Sequence, residues 1–175
     1  SESMTWSTLD DSGTRPYDVC LSLGIFFSEL NKGAFHNIVA EFDDTSRLID
    51  IKGSFTDKLT QLQTKCNGYG NTNFQTLIDL IVKTREEYPY MDIEDFPTTL
   101  LVISDMQFDP FQFTEETNYE LAMSKLRSVF PQEFVDNFKI VWWHCTNRCT
   151  SDFPSTMEHA GTYVFSGFDG SVISF

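Results

Sequence analysis

The sequence predicts an α/β protein in which a doubly wound, mostly parallel sheet of six strands has helices on both faces and one antiparallel strand at an edge. Segments with helical spacing of apolar residues alternate with short apolar segments, which is typical of strand–helix–strand units. Two of the short segments, 98–104 and 138–144, have continuous apolar centres, as strands buried on both faces do. The length of 175 residues fits one domain covering residues 1–175.

The remaining strands are predicted at residues 5–9, 35–42, 47–51 and 162–165. Asp43 and Asp44 lie between two of them and indicate a hairpin. Pro16 predicts the start of a helix, because the first helical position needs no N–H donor. Ser54, with Asp57 three residues later, predicts the start of another helix. The 17 phenylalanines predict a core rich in Phe.

The net charge disfavours several classes of partner. Twelve Lys and Arg residues against 26 Asp and Glu residues give −14. Nucleic acids and anionic membranes are bound mainly through Lys and Arg, so we expect neither direct nucleic-acid binding nor membrane binding. Cations and basic partners are attracted instead.

The chain also lacks the sequence signals of secretion. No apolar run approaches the roughly 20 residues that span a bilayer, and residues 1–8 have no signal-peptide pattern. The four cysteines, Cys20, Cys66, Cys145 and Cys149, do not form the dense framework of a small secreted protein. We therefore expect reduced thiols and an intracellular, cytoplasmic protein. The start at Ser1 suggests a domain of a longer protein.

Several side chains that carry oxygen atoms lie next to the ends of predicted strands or the start of a predicted helix, at one edge of the sheet. Asp10, Ser12 and Thr14 follow the first strand, Asp105 follows the strand at 98–104, and Thr72 precedes a helix. The carboxyl ends of parallel strands are where ligands bind in such sheets. Two carboxylates and three hydroxyls suit a hard cation, Mg²⁺ first, with Mn²⁺ or Ca²⁺ as alternatives. The same residue types are also common in turns and helix caps, and that interpretation stays open.

The pattern Asp-Xaa-Ser-Gly-Thr at 10–14 resembles the metal-ion-dependent adhesion site (MIDAS) motif of von Willebrand factor A domains. Further matching segments are 21–29, 70–74, 104–109, 141–143 and 166–168, so that the resemblance covers about residues 9–168. With these segments the chain is similar to an intracellular branch of these domains, which is related to the Ro (TROVE) ribonucleoproteins and occurs in eukaryotes and large DNA viruses.

The resemblance implies roles for the five residues. Ser12 and Thr14 would bind the ion directly, Asp10 and Asp105 directly or through water, and Thr72 would join or leave the ligand set. An acidic side chain of a partner protein would complete the coordination. The implied function is a non-enzymatic, cation-dependent binding module.

Three further residues are candidates for partner contact. Arg15 stands where the related family often has Met, and its charge could weaken ion binding or help hold an anionic ligand. Phe108 and Phe111 lie in the segment that follows Asp105. They could anchor a partner or pack as a small satellite core beneath the loop.

Two other chemistries remain as alternatives. The motif at 10–14 also resembles the nucleophile loop of haloacid-dehalogenase-type Mg²⁺ phosphatases, with Asp10 as nucleophile, but Ser12 occupies the place of their acid/base residue. His144, Cys145, Cys149 and His159 could form a zinc site, although a buried histidine and reduced thiols explain them more simply.

Overall fold

The computed structural model describes residues 13, 15–41, 45–66, 73–104, 118–145 and 161–167. These residues form two sheets, five α-helices and two short 3₁₀ turns, Gly33–Phe35 and Ile93–Asp95. The α-helices are α1 (Pro16–Leu30), α2 (Phe55–Lys65), α3 (Phe74–Glu87), α4 (Asn118–Arg127) and α5 (Gln132–Asn137). The strands are β1 (Ile38–Glu41), β2 (Arg47–Asp50), β3 (Thr99–Ser104), β4 (Lys139–His144) and β5 (Thr162–Ser166).

The predicted hairpin is confirmed. Strands β1 and β2 pair antiparallel, with Ile38 opposite Asp50 and Glu41 opposite Arg47. Asn37 enters the hairpin with a φ of 61°, a left-handed conformation that Asn tolerates better than most residues. The predicted helix starts are also correct, since Pro16 is the first residue of α1 and Ser54 caps α2 in a full capping box with Asp57.

The two predicted central strands are confirmed as parallel neighbours. Strand β3 pairs with β4, and β4 pairs with β5, so that the order is β3-β4-β5. Strand β5 matches the last predicted strand. Residues 5–9, where a further strand was predicted, lie outside the described residues.

The prediction of a single six-stranded, doubly wound sheet is wrong. The described strands form a two-stranded antiparallel sheet and a separate three-stranded parallel sheet. Among the described strands, β1 and β3 are not hydrogen-bonded to each other. The alternation of segments indicates which residues are strands, but lateral pairing depends on contacts between distant segments, which the alternation does not specify.

Both faces of the three-stranded sheet are covered. The ring of Trp142 in β4 lies 4.9 Å from that of Phe74 in α3, while the neighbouring Trp143 packs 6.2 Å from Phe27 in α1. Successive strand residues point to opposite faces, which places α3 and α1 on opposite sides of the sheet. No helix of the described residues is both long and apolar enough to cross a membrane.

Candidate functional site

Most of the predicted site residues fall outside the part of the chain that the structure describes. This applies to the five predicted metal ligands, Asp10, Ser12, Thr14, Thr72 and Asp105, and to the predicted partner contacts Phe108 and Phe111. Arg15 is described, as are the residues next to several of the others. The geometry of these flanking residues is what bears on the site.

Parallel pairing and a backbone hydrogen bond connect the end of β3 to the end of β4. Ser104, the last residue of β3, directly precedes Asp105 in the chain and has a buried side chain. Its register partner is His144, and its carbonyl oxygen accepts a hydrogen bond of 3.1 Å from the amide of Cys145. The backbone just before Asp105 therefore lies at the carboxyl edge of the parallel sheet.

The start of α1 lies at the same edge. The thiol of Cys20, in the second turn of α1, donates to the carbonyl oxygen of Ile103 at 3.5 Å. Arg15 is the N-cap residue, and Gly13 has a φ of 81°, which favours glycine over residues with a side chain. The described residues around the predicted motif at 10–14 thus lead into a helix that packs on the end of β3.

The start of α3 is the third described flank. Asn73, which follows Thr72, caps the helix, and its Oδ1 accepts a hydrogen bond of 3.0 Å from the amide of Gln75. The next residue, Phe74, packs its ring against Trp142 of β4. The sequence analysis did not identify Asn73 as a cap, although Asn directly before an apolar helical stripe is a recognised start signal.

The charge of Arg15 is engaged within α1. Its Nε and Nη2 donate to the two carboxylate oxygens of Asp18 at 2.9 and 3.0 Å, and both side chains are exposed. The hydrogen bond and the charge of Asp18 raise the pKa of the Arg15 guanidinium above its usual value. The sequence predicts that the charge of Arg15 weakens ion binding or helps to hold an anionic ligand. In either role the guanidinium would have to leave the Asp18 carboxylate, or contact the carboxylate and the new partner at the same time.

The residues of the alternative zinc site are partly described. His144 and Cys145 are both buried, and the Cys145 thiol lies 3.5 Å from the Ser104 carbonyl oxygen. Cys149 and His159 lie outside the described residues. Within the described ranges, no group of three or more His, Cys, Asp or Glu side chains is arranged to hold a metal ion.

A polar contact that the sequence did not reveal joins α1 to the end of α2. The Tyr17 hydroxyl donates to the Cys66 carbonyl oxygen at 2.7 Å. Burial, with nearby acidic groups, raises the pKa of Tyr17 to about 12 and that of the Cys66 thiol to about 12. The Cys66 thiolate is thereby disfavoured at neutral pH, which makes this thiol a poor nucleophile.

The described elements define an α/β protein with a parallel three-stranded sheet, an antiparallel hairpin and helices on both faces of the parallel sheet. A family model described as "Domain of unknown function (DUF7788)" matches residues 1–175, and the chain belongs to this family. It is also similar to "Uncharacterized protein L728" of Acanthamoeba polyphaga mimivirus, with 22% identity over 174 residues, which are 95% of this chain and 29% of the viral protein. The chain thus spans less than a third of that relative's length. No solved structure matches the chain.

Proposed function

We propose that this chain is a non-enzymatic protein-binding module that uses a divalent cation to hold an acidic side chain of a partner protein. The cation is Mg²⁺ first, with Mn²⁺ or Ca²⁺ as alternatives. The proposed ligands are Asp10, Ser12, Thr14, Thr72 and Asp105.

The observation that supports this proposal is the convergence of three described flanks. Ser104 ends β3 at the carboxyl edge of the sheet, and the Cys20 thiol of α1 contacts the neighbouring Ile103 there. Phe74, at the start of α3, packs on Trp142 two residues before the end of the adjacent strand. Asp105, the motif at 10–14 and Thr72 adjoin these three flanks in the chain, so that short reaches of backbone can bring them together.

The chemistry of the donor set fits a hard cation. Carboxylate and hydroxyl oxygens are the ligands that Mg²⁺ prefers, and Mg²⁺ usually keeps several waters. With only two protein carboxylates, the bound ion would keep a coordination position and positive charge available to a partner's carboxylate. In this proposal the protein residues bind the ion and orient it toward the partner's carboxylate. Arg15 could assist an anionic partner only at the expense of its pair with Asp18.

Calorimetric titration with Mg²⁺ and Mn²⁺ tests the proposal. We expect saturable binding that is lost in Asp105→Ala. Asp92→Ala is the matched control, since it removes the same charge from an exposed residue whose side chain makes no capping hydrogen bond. Binding unchanged in Asp105→Ala, or lost equally in both variants, would contradict the site.

A second assay separates this function from the phosphatase alternative. A phosphatase with Asp10 as nucleophile would hydrolyse an aryl phosphate in the presence of Mg²⁺, and the binding module would not. Turnover that disappears in Asp10→Asn would reject the proposal in favour of an enzyme.

We also propose an intracellular, cytoplasmic location. The described cysteines, Cys20, Cys66 and Cys145, are thiols rather than disulfides, as is usual for proteins of reducing compartments. Fractionation of cells that express the tagged protein tests this, and recovery in the secreted fraction would contradict it.

A further inference from the structure

An exposed turn at residues 88–91, here named the aromatic turn, follows the end of α3 and carries two tyrosines. Tyr90 is 97% exposed and Tyr88 is 56% exposed. Pro89 lies between them, at the β-turn position where proline is favoured, and the Met91 amide closes the turn by donating to the Tyr88 carbonyl oxygen at 3.1 Å. Two aromatic rings are thus presented to water, two residues apart and outside both hydrophobic cores.

Arg85 of α3 holds the aromatic turn in place. Its Nη1 donates to the Met91 carbonyl oxygen at 2.7 Å. The guanidinium carbon lies 5.6 Å from the centre of the Phe96 ring and 6.0 Å from that of Phe130, and both rings are buried. The turn is therefore attached to the aromatic core before any partner arrives, which lowers the conformational entropy that binding would cost.

Carboxylates flank the aromatic turn on both sides in the chain. Residues 86–95 contain five acidic residues, all exposed, and no Lys or Arg. The five are Glu86, Glu87, Asp92, Glu94 and Asp95. Glu87 pairs with Lys83 at 3.7 Å, whereas the ion pairs of the described residues include none of the other four. The charge around the two rings therefore attracts a positively charged partner and repels an acidic one.

We propose that the aromatic turn is a docking surface for an arginine-containing segment of a partner protein. A guanidinium can stack on the exposed Tyr90 ring and donate to a neighbouring carboxylate at the same time. Lysine fits less well, because its ammonium is more strongly hydrated and has no planar face to stack. Tyrosine and arginine are also among the residues that contribute most to the affinity of protein interfaces.

This surface is separate from the proposed cation site. From the aromatic turn the chain passes through Phe96 and Pro97 and enters β3 at its amino end, whereas Asp105 follows the carboxyl end of β3 in the chain. The six residues of β3 span about 20 Å. The arginine-binding proposal therefore stands or fails independently of the cation site.

Fluorescence anisotropy with labelled synthetic peptides tests the proposal on the unmodified chain. Peptides of equal length are used, in which Gly alternates with Arg, with Lys or with Glu. We expect saturable binding of the Arg peptide, weaker binding of the Lys peptide and none of the Glu peptide. The proposal is overturned if the Arg peptide shows no saturable binding, or if the Arg and Lys peptides bind equally well.

Variants of exposed tyrosines locate the binding. Tyr90→Ala should weaken binding of the Arg peptide about fivefold, because the stacked ring is lost, whereas Tyr90→Phe keeps the ring and should bind as the unmodified chain does. Tyr163→Ala is the matched control, since it removes an exposed tyrosine from β5, outside the aromatic turn, and should leave the affinity unchanged. Equal affinities in Tyr90→Ala and Tyr163→Ala would reject the aromatic turn as the docking surface.

A second pair of variants separates local charge from the net charge of the chain. Asp92→Asn removes a carboxylate beside the aromatic turn that makes no capping hydrogen bond. Asp18→Asn removes the same charge in the first turn of α1, which packs near the carboxyl end of β3. At equal ionic strength we expect Asp92→Asn to weaken binding of the Arg peptide about twofold and Asp18→Asn to leave it unchanged. Equal affinities in these two variants would assign the attraction to the net charge of −14 and contradict a defined docking surface.

Discussion

Two regions of the molecule bury their apolar residues in different ways. Around the parallel sheet, a core of 14 buried residues, six of them aromatic, connects α3, α4 and α5 to β3 and β4. Around the hairpin, a smaller aliphatic core of Leu21, Ile25, Ile49, Ile51 and Leu62 connects α1 and α2 to β2. Buried aromatic rings therefore contribute to the core of the first region and are absent from the five buried residues of the second.

The rings of the larger core form a continuous series. Phe96 lies 5.2 Å from Phe130, Phe130 stacks at 4.2 Å on Phe134, and Phe134 lies 5.9 Å from Phe138. Arg85 approaches the Phe96 ring at 5.6 Å. Offset and edge-to-face pairs add to the stabilisation that burial alone provides.

Polar contacts reinforce the hairpin region. Lys58 of α2 is buried, and its Nζ donates to Glu29 at 2.6 Å and to the Asn37 side chain at 2.7 Å. These bonds connect α2 to α1 and to the residue that enters β1. The comparison teaches that a region with few large apolar side chains can be positioned by a buried, hydrogen-bonded cation.

The largest expected effect tests the aromatic core. Trp142→Ala should lower the free energy of unfolding by about 3–5 kcal/mol, because it removes a fully buried indole. Ile49→Ala in the hairpin core should cost about 2 kcal/mol, since a smaller core relaxes more easily. Urea unfolding followed by circular dichroism measures both, and equal losses would break the contrast between the two regions.

A smaller effect is expected at the buried cation of the hairpin region. Lys58→Met should cost about 1–2 kcal/mol, because it keeps the apolar stem and removes two hydrogen bonds, while the half-exposed Glu29 stays solvated. Lys52→Met is the control, since Lys52 pairs with Asp50 on the surface. This substitution should change the free energy of unfolding by no more than about 0.5 kcal/mol. Similar values for the two variants would mean that the Lys58 contacts do not reinforce this region.

The smallest effect is expected at the cap of α2 and depends on pH. The Ser54 hydroxyl and amide donate to Asp57 at 2.7 and 2.9 Å, and these bonds lower the pKa of Asp57 below 3.8. A lowered folded-state pKa stabilises the protein above pH 3.8, and this contribution is lost as the pH falls through the folded value.

Asp57→Asn should therefore lower the melting temperature near neutral pH, and the difference from the unmodified chain should disappear at low pH. Melting curves from about pH 6 to about pH 2 measure it. Asp92→Asn serves as the control for a general loss of charge. A constant difference between Asp57→Asn and the unmodified chain over this range would contradict the capping contribution.

Local features of the fold could be predicted because each depends on neighbouring residues. Pro16 fixed the start of α1, the Ser54–Asp57 pair fixed the start of α2, and the apolar runs located β3 and β4. The Asn73 cap could also have been predicted in this way. The pairing of the N-cap residue Arg15 with Asp18, three residues later in the first turn of α1, follows from the same local geometry.

The candidate site could be predicted only as a set of residue types. The spacing of Asp10, Ser12 and Thr14, with Thr72 and Asp105 elsewhere in the chain, indicates oxygen ligation. The described flanks add that Ile103, Ser104 and the starts of α1 and α3 gather at one edge of the sheet. The Mg²⁺ titration of Asp105→Ala tests ion binding at this edge.

Within the described residues, the sequence by itself determined the kinds of elements, their order, the hairpin and the abundance of Phe in the core. Only the tertiary structure decided that the hairpin and the parallel sheet are separate, that Lys58 is buried between Glu29 and Asn37, and that Tyr17 meets Cys66. The physical reason is the range of the interactions. Helix starts, turns, hairpins and periodicity arise within about a dozen residues, whereas the pairing of the parallel strands and the buried polar contacts join residues 20 or more positions apart, whose proximity no local pattern encodes.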